Sequence, residues 1–149
     1  NEIQWECKRR VAAALQQQVP LKPGCKEILD YFYKKHIPMA IGSSSRKELI
    51  ESNLKISGCQ KYFQAIASGD EIEHGKPAPD IFLLAAERLG VDPKDCYVFE
   101  DSPNGIRAAY AAGMKPILVP DLMPVTDEIR GMCVCICDTL LDAIEKYDK

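Results

Sequence analysis

The chain has 149 residues, 46% of them hydrophobic and 28% charged, with a formal net charge of −3. That is one domain's length with an ordinary soluble composition, enough to bury a real core. The charge makes no case for nucleic acid, the apolar runs are too short to span a bilayer, and residues 1–10 do not resemble a signal peptide, so a cytoplasmic protein is expected.

Residues 2–18 lack Gly and Pro and are rich in Ala, Gln, Lys and Arg, which favours a helix. Val19-Pro20-Leu21-Lys22-Pro23-Gly24 breaks that pattern and reads as a linker into the main domain. Residues 24–35 predict a helix, with Ile28, Leu29 and Phe32 at helical spacing. The apolar run 37–41, closed by Gly42 and three serines, predicts a buried strand and its exit loop. Residues 45–55 return as helix, 63–67 as strand, and 68–74 as a polar loop. Residues 79–89 predict a helix with Ile81, Leu84, Ala85 and Leu89 on one stripe, stopped by Gly90. Residues 96–99 predict a strand, 104–112 an Ala-rich helix stopped by Gly113, and 116–119 and 133–136 two more strands. Asp138 is placed to cap a last helix over 138–147. Strands separated by helices of this length predict βαβ units and a parallel sheet, hence an α/β fold.

In such a sheet the ligand crevice lies outside the carboxyl ends of the strands, and three loops there carry chemistry. Glu100-Asp101 end an apolar strand, and two adjacent carboxylates suit a magnesium ion that also takes phosphate oxygens and water. A helix cap would explain one acid but not two. Ser43 and Ser44 follow the strand ending near Gly42, where a hydroxyl and the free N–H groups of the next helix can hold an anion. The plainer reading of that serine loop is an N-cap with no ligand. Lys76, in Gly75-Lys76-Pro77-Ala78-Pro79-Asp80, is stiffened by prolines and can neutralise phosphate as a point cation. Without those neighbours it would read as a solvated surface lysine. His36 at a helix end and His74 beside the lysine loop carry little weight.

Seven cysteines, an odd number spread over apolar segments, read as reduced thiols rather than a disulfide framework. In Cys133-Val134-Cys135-Ile136-Cys137, strand alternation is expected to send all three thiols to one face as small buried side chains, without the loop geometry of a zinc site.

Taken together, Ile41-Gly42-Ser43-Ser44-Ser45-Arg46, Gly75-Lys76-Pro77-Ala78-Pro79-Asp80-Ile81-Phe82 and Val98-Phe99-Glu100-Asp101-Ser102-Pro103-Asn104-Gly105 resemble the second, third and fourth motifs of the haloacid dehalogenase superfamily. The likeness is to its β-phosphoglucomutase-like phosphatase branch, and it runs from about Pro20 to near the C-terminus. The resemblance implies a Rossmann-like three-layer parallel sheet over residues 20–149, with residues 1–19 a remnant of the helical cap. It implies that Ser43, with Ser44, binds the transferring phosphoryl group and that Lys76 neutralises it. Asp101 would ligate Mg²⁺, with Glu100 helping directly or through water, and Asn104 and Gly105 would shape the metal loop.

The family's first motif, an Asp-x-Asp ending a central N-terminal strand, has no counterpart here. Neither Asp70, nor Asp92 and Asp95, nor Asp121 follows an apolar strand at the required place, so no nucleophile is assigned. The central first strand is accordingly expected to be missing, leaving two facing strand edges unpaired. The chain is then expected to be inactive alone and to need either an N-terminal segment or a strand borrowed from elsewhere. The implied function is Mg²⁺-dependent hydrolysis of a small phosphomonoester, a sugar or nucleotide phosphate, through an aspartyl-phosphate. The alternatives are a sugar-phosphate mutase, or a non-catalytic homologue that binds phosphate or a partner. A phospho-acceptor receiver domain fits poorly, because its lysine and acid pair would fall in the other chain order.

Overall fold

The structure, a computed structural model, describes residues 12–15, 25–119 and 125–137. Its centre is a parallel sheet of six strands: β1 (Ala12–Leu15), β2 (Met39–Ser43), β3 (Ala65–Ser68), β4 (Cys96–Glu100), β5 (Lys115–Leu118) and β6 (Cys135–Ile136). They are ordered β3-β2-β1-β4-β5-β6. The helices are α1 (Cys25–Lys34), α2 (Lys47–Ser57), α3 (Asp80–Leu89), α4 (Pro103–Ala111) and α5 (Asp127–Met132).

Buried parallel strands are apolar on both faces, and each face here meets a different helical layer. On one face Met39, Ile41, Tyr97 and Phe99 pack against Ile28, Leu29 and Phe32 of α1 and Ile50 and Leu54 of α2. On the other, Ala40, Ala67, Cys96 and Val98 meet Ile81, Phe82, Ala85 and Ala86 of α3 and Ala108 and Ala109 of α4. The second layer is built largely of alanine, so α3 and α4 lie close to the strands that carry the chemistry. Phe82, fully buried, is its largest anchor, and removing such a ring from water stabilises by about 1.5–3 kcal/mol. Gly90 ends α3 in the left-handed region at φ 70°, as its position in the sequence leads one to expect.

The largest departure from the sequence reading lies at the start. A helix was expected over 2–18, as cap remnant, and the sheet's central strand was expected to be missing. Instead Ala12–Leu15 is a strand in that central position. Leu15 pairs with Ile41 on one side and with Phe99 on the other, both ladders parallel. The physical reason is that β2 and β4 would otherwise face each other across unpaired, buried backbone edges. Helix propensity distinguishes ordinary residues by only some tenths of a kcal/mol each, so two ladders outweigh it. The rest of the expected N-terminal helix, the linker 19–24 and the last helix 138–147 lie outside the described residues.

Two smaller differences follow from local geometry. α5 was not expected. It starts on Thr126, whose hydroxyl accepts the Ile129 N–H, and buries only Ile129. The three thiols of 133–137 do not share a face. Cys133 terminates α5 in extended backbone and packs near Ile106, Leu118 and Ile129, whereas Cys135 and Cys137 join the opposite core. Alternation holds only once the strand is established, and Cys133 precedes it.

Candidate active site

Parallel register puts the expected site residues at one edge. Leu15 is level with both Ile41 and Phe99, so Ser43 and Asp101 each lie two residues beyond the same line. β2 and β4 are two strand spacings apart, which separates those tips by roughly 10 Å.

Ser43 is the last residue of β2 and is buried, while Ser44 is exposed. The Ser43 Oγ accepts the Ser45 N–H at 3.2 Å, an internal turn rather than a helix cap. The N-cap of α2 is Arg46, in extended backbone and without a side-chain cap bond. Thus the serine loop does not serve as the N-cap, and the first N–H groups of α2 keep their affinity for an anion.

Lys76 reaches the edge from the loop before α3. Its Nζ donates to Glu100 Oε2 at 3.1 Å, with 8% of the lysine side chain and none of the glutamate's exposed. The same ammonium lies 5.0 Å from the centre of the Phe82 ring. The Lys76–Pro77 peptide is cis. The loop is tied down at both ends: the Ala78 N–H donates to Gly75 O, and the His74 N–H to Asp80 Oδ2 at 3.1 Å. His74 is largely exposed and stands beside Asp80, 3.5 Å away.

Glu100 is the electrostatic centre of the edge. Burial pushes its carboxyl above the ordinary 4.5, and the neighbouring Asp101 adds to that, while Lys76 pulls the other way. Its second oxygen accepts the Asp101 N–H at 3.1 Å and the Ser102 hydroxyl at 3.3 Å. The Ser102 Oγ in turn accepts the Gly105 N–H at 3.0 Å and so caps α4. The cap therefore belongs to Ser102 and not to Asp101, which sits half-buried at the strand tip. Gly105 admits the glutamate: a Cβ there would lie 2.0 Å from Glu100 Cδ. Asn104 is exposed and accepts from Arg107, which also pairs with Glu128.

A magnesium ion is implied by this donor set, and the residues fit it sparsely. Glu100 spends both carboxylate oxygens inside the protein, so Asp101 is the residue that could ligate such an ion directly, with Glu100 the counter-charge that holds Lys76. Among the described residues no three His, Cys, Asp or Glu side chains converge on one point. Magnesium, unlike zinc, is commonly held by one or two carboxylates with water and phosphate supplying the rest.

Sequence reasoning missed the segment after β3. The Gly69 N–H donates to Ser45 O at 2.8 Å, and a Cβ on Gly69 would lie 2.0 Å from Ser44 O. Behind it, Glu71 accepts from the Ser68 N–H and hydroxyl and forms an ion pair with Arg88. The hydrogen bonds from Arg88 and Ser68 hold the Glu71 carboxyl down at about 2. The serine loop is therefore braced from the neighbouring strand. Only the glycine itself, directly after an apolar run, could have signalled this. One cavity among the described residues, of about 390 Å³, is lined by Tyr33, His36, Ile37, Pro38 and Gln64. Another, of about 470 Å³, runs along the outer side of β3 near Lys47, Glu51 and Arg88. Neither includes Ser43, Lys76 or Asp101.

A family model for haloacid dehalogenase-like hydrolases matches residues 2–119. The chain is 42% identical over 131 residues to a Drosophila melanogaster protein named "Probable pseudouridine-5'-phosphatase", covering 80% of this chain and 56% of that one. It is 49% identical over 80 residues to the fructose-1-phosphate phosphatase YqaB of Escherichia coli, covering 54% and 43%. The crystal structure of CbbY from Rhodobacter sphaeroides in complex with phosphate superposes with a TM-score of 0.76 at 28% identity, covering 86% of this chain and 59% of that one. The chain thus spans about half the length of the curated relatives it matches.

Proposed function

Because the chain belongs to the haloacid dehalogenase-like hydrolase family, we propose that it supplies the phosphate- and metal-binding half of an enzyme that hydrolyses a small phosphomonoester. The observation that carries this is the buried Lys76–Glu100 pair at the tip of β4, beside Asp101, which is level with Ser43 two strands away. A lysine anchored by a buried carboxylate, beside a second acid, is equipment for a phosphoryl group and serves no evident packing need.

Each residue then has a task. The Ser43 hydroxyl and the first N–H groups of α2 orient the phosphoryl oxygens, with exposed Ser44 beside them. Lys76 offsets charge on the transferring group, where such stabilisation is worth most because the surroundings are poorly solvated. Glu100 fixes the ammonium in place. Asp101 would hold Mg²⁺, which when bound supplies further positive charge against the phosphoryl oxygens. On this reading the attacking aspartate comes from outside residues 1–149, which alone should be inert.

The test is a screen of sugar and nucleotide phosphomonoesters, with and without Mg²⁺, on two proteins. One is the chain alone; the other carries in addition an N-terminal segment bearing the Asp-x-Asp strand, which on this proposal takes the central place that Ala12–Leu15 holds between β2 and β4. Turnover by the longer protein only, abolished by Asp101→Ala, is the expected result. No turnover in the longer protein, or turnover indifferent to Asp101→Ala, rejects the proposal. One observation favours a second reading, a phosphate binder without turnover. The central strand ends at Leu15, and the sequence continues Gln16-Gln17-Gln18, none of which can attack. On that reading the chain alone binds inorganic phosphate and no longer form turns over.

A further inference from the structure

We propose that Cys135 and Cys137 form a redox-active dithiol, closing to an intrastrand disulfide by exchange with a small-molecule disulfide such as oxidised glutathione. Cys135 in β6 and Cys137, the residue just beyond that strand, have their sulfurs 3.5 Å apart. Both are reduced, and both belong to the core shared with Ile117 and Val119. Cys133 is turned into the opposite cluster and is not placed to compete.

The step balances as two exchanges. Cys135 is 9% exposed and Cys137 1%, so the Cys135 thiolate is the first to attack. It forms a bond to one sulfur of the oxidised small molecule, whose S–S bond breaks to release one thiol. The Cys137 thiolate then attacks Cys135 Sγ, and the mixed disulfide breaks to release the second thiol. The protein pair is oxidised by two electrons and the small disulfide is reduced to two thiols.

Geometry also makes the bond labile. Alternate residues of a strand are separated by about 6.4–6.8 Å at Cα, the upper end of what a disulfide tolerates. Closure therefore shortens the strand, and a strained disulfide is readily reduced again. β6 can yield to this because it is the edge strand of the sheet, paired on one side only among the described residues.

The test counts thiols in the full chain after incubation with oxidised glutathione, with the mass recorded alongside. The wild type carries seven cysteines and should fall to five titratable thiols with no glutathione retained. Cys133→Ser should fall from six to four, and a Cys7→Ser/Cys25→Ser variant from five to three. Cys135→Ser and Cys137→Ser should lose no pair; because both substitutions fall in the core, the Cys7/Cys25 variant is also mapped by proteolysis for a Cys135–Cys137 cross-link. A wild type that keeps all seven thiols, one that gains only glutathione adducts, or a cross-link mapped to any other pair overturns the proposal.

Discussion

Replacing Lys76 with methionine tests the electrostatics of the site most directly. The substitution keeps most of the aliphatic stem over Phe82 and removes the charge 3.1 Å from Glu100. A carboxylate with no exposed side-chain surface would then lack its cation. Breaking a buried pair this way costs about 3–5 kcal/mol. At about 2–4 °C per kcal/mol for a domain of this length, the melting point should fall by about 6–20 °C. The pH dependence carries the stronger test. A carboxyl raised above 4.5 in the folded state binds its proton more tightly there than in the unfolded chain. Its contribution is complete below the ordinary value and is lost as pH rises through the folded one. Lys76 opposes the shift, so Lys76→Met raises the carboxyl further and widens that window upward. The variant should therefore be most impaired near neutral pH and recover as pH falls toward about 4.5. Adding Glu100→Gln should restore most of the loss near neutral pH, because no uncompensated charge remains. Urea unfolding at a series of pH values, in chelator, measures all three proteins. A deficit of equal size at every pH, or no rescue by the second substitution, would refute the reasoning.

Gly105→Ala should destabilise by at least about 1–3 kcal/mol, because its Cβ would meet Glu100 Cδ at 2.0 Å. Gly75→Ala, with nothing within 4 Å of its Cβ, should stay within about 0.5 kcal/mol in the same melts. Gly69→Ala should weaken inorganic phosphate binding about tenfold, about 1.4 kcal/mol, by displacing the Ser44 carbonyl, as read by titration calorimetry. Glu71 is held down at about 2, so its contribution is present above 4.5 and lost as pH falls toward 2. Its side chain is a quarter exposed and that of Arg88 about a third, so screening reduces the contribution to about 1 kcal/mol. Glu71→Gln should remove that part of the acid-limb pH dependence in urea unfolding.

The alternation of helix and strand was legible because buried parallel strands leave compact apolar runs and glycines punctuate the helix ends. The strand tips of the site were legible for the same reason, since Ser43 and Asp101 each follow such a run, whereas Lys76 was picked out by the prolines beside it. The strand at Ala12–Leu15 was not. Its composition argues for a helix, and what makes it a strand is the pairing demand of β2 and β4, which are distant in sequence. α5 escaped notice because six residues that include Gly131 give too little periodicity to detect. The division of labour between Glu100 and Asp101 could not be read from two adjacent acids either. It depends on Lys76 arriving from another loop and on Gly105 leaving room for the glutamate.

The sheet order gives Ala12–Leu15 an unusual position. Every ladder joining the β2–β3 half to the β4–β5–β6 half passes through those four residues. A seam so short invites competition. A synthetic peptide with the sequence of a longer apolar strand, added in trans, could displace it and dock between the halves. Such a peptide could carry an attacking carboxylate of the experimenter's choosing, making the chain a scaffold for complementation.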